Sequence, residues 1–163
     1  MSCQEITCLC MLRIGDTAPG FSLPDQNGTA VSLDDLLRTG QVILYFYPAD
    51  FTPVCTREAC AFRDRFDDLR EVSVPLVGIS PQSVASHHRF AQLHDLPFPL
   101  LADTDRSLIR AFGVSGPFGF GVRRATFLVD QQRRIVNRAV SDLFLASHLS
   151  LVQKVLDVAE PER

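Results

Sequence analysis

No apolar run in this sequence approaches the roughly 20 residues that cross a bilayer; the longest, residues 41–48, is far shorter. The first residues also lack the basic and apolar regions of a secretory signal. Both absences predict a soluble, cytoplasmic protein without a membrane partner. Basic blocks are missing too. The arginines are scattered and the formal net charge is −3, so nothing in the chain is built to track a phosphate backbone, and nucleic acid is not an expected partner. A regular, even cysteine framework is absent as well. Five irregularly spaced cysteines exclude the fully paired scaffold of a small secreted domain and predict a reducing compartment with one or two chemically active thiols.

What is present suits one compact domain. At 163 residues, the chain is long enough for a single core and too short for two ordinary ones. Residues 12–163 are expected to form that domain. Residues 1–11, with Cys3, Cys8 and Cys10 but no hydrophobic period, read as a disordered extension in which Met11 is an alternative start. Short apolar runs on either side of Asn27-Gly28, a two-residue turn signal, predict an N-terminal hairpin, and Ser32 followed by Asp35 opens a short helix.

Residues 41–48 are continuously β-branched and aromatic, which predicts a central strand buried on both faces. Beyond it, Cys55, Ala59, Phe62, Phe66 and Leu69 form one apolar stripe and predict a single amphipathic helix over 52–69. Strand and helix patterns then alternate: strands at 73–80 and 98–101, helices at 83–94 and 105–112. A second hairpin follows at 127–130 and 135–140, with a closing helix at 145–159. The order predicts an α/β fold with a mixed central sheet flanked by crossover helices.

Cys55 falls in the first turn of the 52–69 helix, where unpaired backbone N–H groups favour negative charge. Thiolates, the nucleophilic form of cysteine, are promoted at such places. Position alone leaves a packing cysteine equally open, because Cys55 also lies on the core-facing stripe. Its neighbours favour reactivity: Pro48 fixes the exit from the strand, Thr52 sets a hydroxyl three residues before the sulfur, and Pro53 suits a helix start.

The segment YFYPADFTPVCTREAC, residues 45–60, closely resembles the Pro-x-x-x-Thr-x-x-Cys signature of peroxiredoxins, with Pro48, Thr52 and Cys55 in its fixed places. It is most similar to the Q-type, or bacterioferritin-comigratory-protein, branch, in which a second cysteine stands five residues on, as Cys60 does. The resemblance runs from about Ile14 to the C-terminal helix and takes in the stretches GDTAPGF, FPLLAD and RATFLVD. It implies a thioredoxin-like fold, reduction of hydrogen peroxide and organic hydroperoxides, and recycling by thioredoxin or a similar dithiol donor. It also implies that no metal or organic cofactor is required.

By the same resemblance, Cys55 attacks the O–O bond and becomes a sulfenic acid. Thr52 Oγ bonds the thiolate and peroxide, Arg124 holds both charges, and Cys60 captures the sulfenic acid as a disulfide. Periodicity does not separate Arg124 from Arg123; the Arg-x-Ser/Thr-Phe pattern selects Arg124. Glu58 reads either as an acid complementing the helix dipole or as a residue orienting Arg124. Val54 replaces a glycine common in the branch and narrows the expected peroxide pocket.

Cys60 has polar helical neighbours in Arg57, Arg63, Asp64 and Asp67, which predict an exposed thiol. On an ideal helix, residues five apart have Cα atoms roughly 8 to 9 Å apart, beyond the about 7 Å limit of a disulfide. The first turns are therefore expected to unwind in each cycle. A one-cysteine peroxidase and a peroxide sensor relaying oxidation to a partner are the alternatives. Monomer and homodimer both fit. Cys3, Cys8 and Cys10 lack zinc-site spacing, and His87, His88, His94 and His148 are expected at surface or boundary positions. Phe118 and Phe120 either shape the peroxide pocket or a dimer contact, or simply pack a loop.

Overall fold

The computed structural model describes residues 10–159. A hairpin of β1 (Ser22–Pro24) and β2 (Ala30–Ser32) leads into α1 (Leu33–Leu36), then β3 (Val42–Phe46) and α2 (Pro53–Asp64). There follow α3 (Phe66–Glu71), β4 (Leu76–Ser80), α4 (Val84–Leu93), β5 (Leu100–Ala102), α5 (Ser107–Phe112), β6 (Ala125–Val129), β7 (Ile135–Val140) and α6 (Ala146–Ala159). The main sheet has the order β5-β4-β3-β6-β7. β3 pairs in parallel with β4 and antiparallel with β6, so the sheet is mixed and β3 is its centre.

The all-apolar run of β3 follows from burial on both faces. Ile43 and Tyr45 enter one core with Cys55, Phe62, Phe90 and Val152, while Val42, Leu44 and Phe46 enter the opposite core with Ile109, Phe112 and Phe127. β4 lies close beneath Tyr45. A Cβ on Gly78 would stand 2.7 Å from Tyr45 Cζ and 2.8 Å from Leu100 Cδ2, so only glycine lets the tyrosine ring lie on that strand.

Three local expectations change. The hairpin loop spans five residues between Pro24 and Ala30, because Asp25 Oδ1 accepts from both Asn27 N (2.8 Å) and Thr29 N (3.0 Å) and closes a longer turn around Gly28. The expected 52–69 helix divides at Arg65 (φ −105°, ψ 1°), whose N–H reaches Phe62 O at 3.1 Å. Its apolar stripe continues across the break because α2 and α3 cover the same core. At the N-terminal side, Met11 packs on the second core and Leu12 N bonds Phe112 O at 3.0 Å, so Met11, the last residue of the segment read as an extension, packs on the domain. Cys3 and Cys8 lie outside the described residues.

Candidate active site

Chain direction places the site. The central strand ends at Phe46, Pro48 turns the chain, and Thr52 in extended conformation (φ −82°, ψ 149°) becomes the N-cap of α2, with Pro53 in its first turn. Cys55 follows in that turn, only 2% exposed, with its side chain in the core between sheet and helix. The Thr52 hydroxyl does not cap the helix; Oγ1 donates to Ala49 O at 3.1 Å. This corrects the expected Thr52 bond to the thiolate. With its hydrogen committed to Ala49, Oγ1 presents lone pairs, suited to accept from an incoming O–H group.

Arg124 comes from the residue just before β6, on the strand that flanks β3. Its guanidinium forks: Nη2 donates to Cys55 Sγ at 3.2 Å and Nη1 donates to Glu58 Oε2 in a short ion pair. The neighbouring Arg123 points to the surface and pairs with Asp142 at 3.3 Å, so of the two arginines it is Arg124 that faces Cys55. Glu58 lies one helical turn beyond Cys55 and is fully buried. Burial pushes its carboxyl up to about 7 against the opposing pull of Arg124. Burial also lowers the Arg124 pKa, but the negative groups beside it, Glu58 and Cys55, outweigh that and hold it raised and charged.

Two contributors were not read from the sequence. Asp142 accepts the Arg124 backbone N–H at 3.0 Å, and its carbonyl oxygen accepts Arg124 Nε at 3.4 Å, so this residue sets the arginine's position. His148, expected near the surface, is fully buried on α6. Its Nε2 donates to Ser141 O at 3.0 Å, which leaves Nδ1 to accept from Thr126 Oγ1 at 2.8 Å; Glu58 Oε1 stands 4.0 Å from the same nitrogen. Burial holds the imidazole pKa below its ordinary value. His87 is likewise buried rather than superficial. Their places on helices away from the cysteine motif made these histidines look peripheral, whereas buried polar partners beneath the helices, Asp50 and Ser80 for His87 and Thr126 for His148, hold them.

Cys60 is half-buried on α2, not exposed, and that helix continues unbroken from Cys55 through it. A cavity of about 620 Å³ opens over Pro48 and Arg124 and is lined also by Phe120, Val122 and Asp142. Phe120 thus borders the site, while Phe118 projects almost fully into solvent. Among the described residues no cluster of histidine, cysteine and carboxylate groups is arranged to hold a metal ion.

A buried cysteine at a helix start, faced by a guanidinium that is itself braced by a carboxylate, is a site made to stabilise negative charge on sulfur. Residues 14–138 match the AhpC/TSA family. The chain belongs to that family. Within it, the likeness is to the Q-type, or Bcp, peroxiredoxins. The Bcp peroxiredoxin of Bacillus subtilis is 40% identical over 131 residues, covering 77% of this chain and 83% of that protein. The Escherichia coli Bcp peroxiredoxin is 39% identical over 147 residues, covering 86% and 93% respectively.

Among solved structures, the peroxidoxin BcpB of Mycobacterium tuberculosis superposes with a TM-score of 0.84 at 37% identity, covering 93% of this chain and all of that one. Peroxiredoxin Q of Xanthomonas campestris gives 0.77 at 30% identity, covering 86% of this chain and 92% of that one. The mixed sheet is therefore the thioredoxin-like fold of these proteins, and the chain is a thiol-dependent peroxidase. No helix among the described residues is long and apolar enough to cross a membrane.

Proposed function

We propose that this peroxiredoxin works as a two-cysteine enzyme, with Cys55 as the peroxidatic nucleophile and Cys60 as the resolving thiol, in a domain running from residue 12 to residue 163. The contact between Arg124 Nη2 and Cys55 Sγ at 3.2 Å carries the assignment of the nucleophile. The thiolate attacks the terminal oxygen of a hydroperoxide; the S–O bond forms, the O–O bond breaks, and the departing alkoxide or hydroxide takes up a proton to leave as alcohol or water. Negative charge moves from sulfur to that oxygen, and the Arg124 fork beside the sulfur is fixed in place for it. Thr52 Oγ1 accepts the peroxide O–H, and Pro48 with Phe120 borders the approach. Hydrogen peroxide and organic hydroperoxides are both within this chemistry, which requires no metal or organic cofactor.

The Cys60 thiol then attacks the Cys55 sulfenic acid, forming the S–S bond and releasing water. An intact helix keeps residues five apart beyond disulfide reach, so the first turns of α2 unwind for this step and rewind after thioredoxin or a similar dithiol donor has reduced the bond. A cytoplasmic setting supplies such a donor. A monomer completes the cycle alone, and a homodimer remains compatible with it. Replacing Cys60 by Ser tests the scheme: thioredoxin-supported turnover falls to background while the first oxidation of Cys55 keeps its wild-type rate. Full turnover in that variant would make the protein a one-cysteine peroxidase. An oxidised protein with a mapped Cys55–Cys60 bond and an intact helix through Cys60 would refute the unwinding step.

A further inference from the structure

Asp50 and His87 are buried ionisable groups that the peroxidase chemistry leaves unused; both side chains are wholly inaccessible. Asp50 lies in the loop between β3 and α2, two residues before Thr52, whereas His87 stands on α4. The carboxylate is saturated with donors. Oδ1 accepts Tyr47 OH at 2.7 Å, and Oδ2 accepts Ser86 Oγ at 2.7 Å and His87 Nδ1 at 2.8 Å. The second ring nitrogen, Nε2, faces Leu101 O at 3.2 Å and Ser80 Oγ at 3.4 Å. A carbonyl oxygen only accepts, so Nε2 carries a hydrogen, and the short Nδ1–Oδ2 contact needs a proton between its two atoms. The imidazole therefore ties the loop on one side to the end of β5 on the other.

We infer that His87 is a positioning residue of the peroxidatic site: acting through Asp50, it fixes the loop backbone that sets the Thr52 hydroxyl and the start of α2. The connection is short. Ala49, next to Asp50, offers the carbonyl that receives Thr52 Oγ1. Phe51, on the other side of Asp50, is held at φ 65°, and its ring lies edge-on against Phe90 of α4 at 5.3 Å. A non-glycine residue keeps that left-handed conformation only where its surroundings enforce it. Thus α4 grips the loop at two adjacent points, by a buried hydrogen bond and by a ring contact. An anchor here keeps the loop up to Thr52 in register while the first turns of α2 unwind in the proposed resolving step.

The test measures the second-order rate of Cys55 oxidation by hydrogen peroxide, by competition with a haem peroxidase, alongside thermal melts. His87→Ala removes both donors and is expected to slow oxidation by about tenfold or more, since small misplacements of reacting groups carry penalties of that order. His87→Asn returns an amide N–H toward Asp50 without restoring the Leu101 and Ser80 contacts. It is expected to recover most of the rate while its melting temperature stays lowered. Rates that follow stability, with the Asn variant no faster than the Ala variant, would overturn the inference, as would a His87→Ala rate within twofold of wild type.

If His87→Ala does not fold, Tyr47→Phe decides, because it keeps the ring and removes only one donor to Asp50. Oxidation slowed by about threefold or more with an intact fold supports the anchor; a wild-type rate overturns it. The inference rests on the peroxidase reading. A wild-type rate no greater than that of free cysteine would refute that reading and is a different result from any contrast among these variants.

Discussion

Glu58→Gln in a Cys55→Ser background isolates the titration of the buried carboxylate, because no peroxidatic thiol then ionises beside it. Burial raises the Glu58 pKa from 4.5 to about 7. Between those values the folded protein holds a proton that the unfolded chain has released, so stability falls as pH rises through the window. Below about 4.5 the carboxyl is neutral in both states and the penalty vanishes; above about 7 it is fully present. At about 1.4 kcal/mol per pH unit, the full penalty is about 3 kcal/mol. The amide introduced by Glu58→Gln does not titrate, so the stability of that variant relative to its parent should rise by about 3 kcal/mol between pH 4.5 and 8.

A constant offset lies on top of that slope. Exchanging a neutral carboxyl for an amide changes the hydrogen bonding to Arg124 by the same amount at every pH, and Arg124, whose pKa is raised, stays charged throughout the window. His148 contributes the opposite slope: burial lowers its pKa, so its stabilising effect is complete above about 6.5 and lost as pH falls below that. It is present in both proteins and cancels from the difference unless it couples to Glu58 across 4.0 Å; repeating the pair with His148→Gln removes that coupling. Urea unfolding at half-unit pH steps, with unchanged m-values, gives the comparison. Curves for parent and variant that stay parallel within about 0.5 kcal/mol would refute the assignment of a burial-raised carboxyl.

Arg124→Lys keeps the charge but loses the fork that reaches both Cys55 and Glu58. The rate constant for peroxide reduction should fall by about a hundredfold, measured by stopped flow, and a change below threefold would contradict the role given to the guanidinium. Gly78→Ala places a methyl against Tyr45 and Leu100, with an expected loss of about 1 to 3 kcal/mol in chemical unfolding; unaltered stability would show that the ring is free to move.

The parts legible in the sequence share one property: a local pattern with a single physical cause. Burial of both sheet faces explains the apolar run of β3, and its central place could be read from the continuous pattern of residues 41–48. The helix start at Thr52 followed from proline and hydroxyl placement, and the choice of Arg124 over Arg123 needed the motif, since neighbours on a strand differ only in the face they take. The break at Arg65 left no trace because hydrophobic spacing reports which face is buried, not whether the backbone is continuous.

Long-range polar pairing was the least legible. Glu58 could be noticed beside Cys55, but its partner lies 66 residues away; Asp50 and His87 are 37 apart, and Thr126 and His148 are 22 apart. A histidine in a helical segment reads as a surface residue until the element packed against it is known. Asp142 had no sequence signal at all, because its role depends on the loop after β7 returning to the start of β6.

The most direct test of the account is single-turnover hydrogen peroxide reduction by the wild type, Cys55→Ser and Cys60→Ser proteins, followed by stopped flow with mass spectrometry of the quenched products. No reaction above background is expected for Cys55→Ser, and for Cys60→Ser a wild-type first oxidation that ends at a Cys55 sulfenic acid. Undiminished peroxide reduction by the Cys55→Ser protein would contradict it.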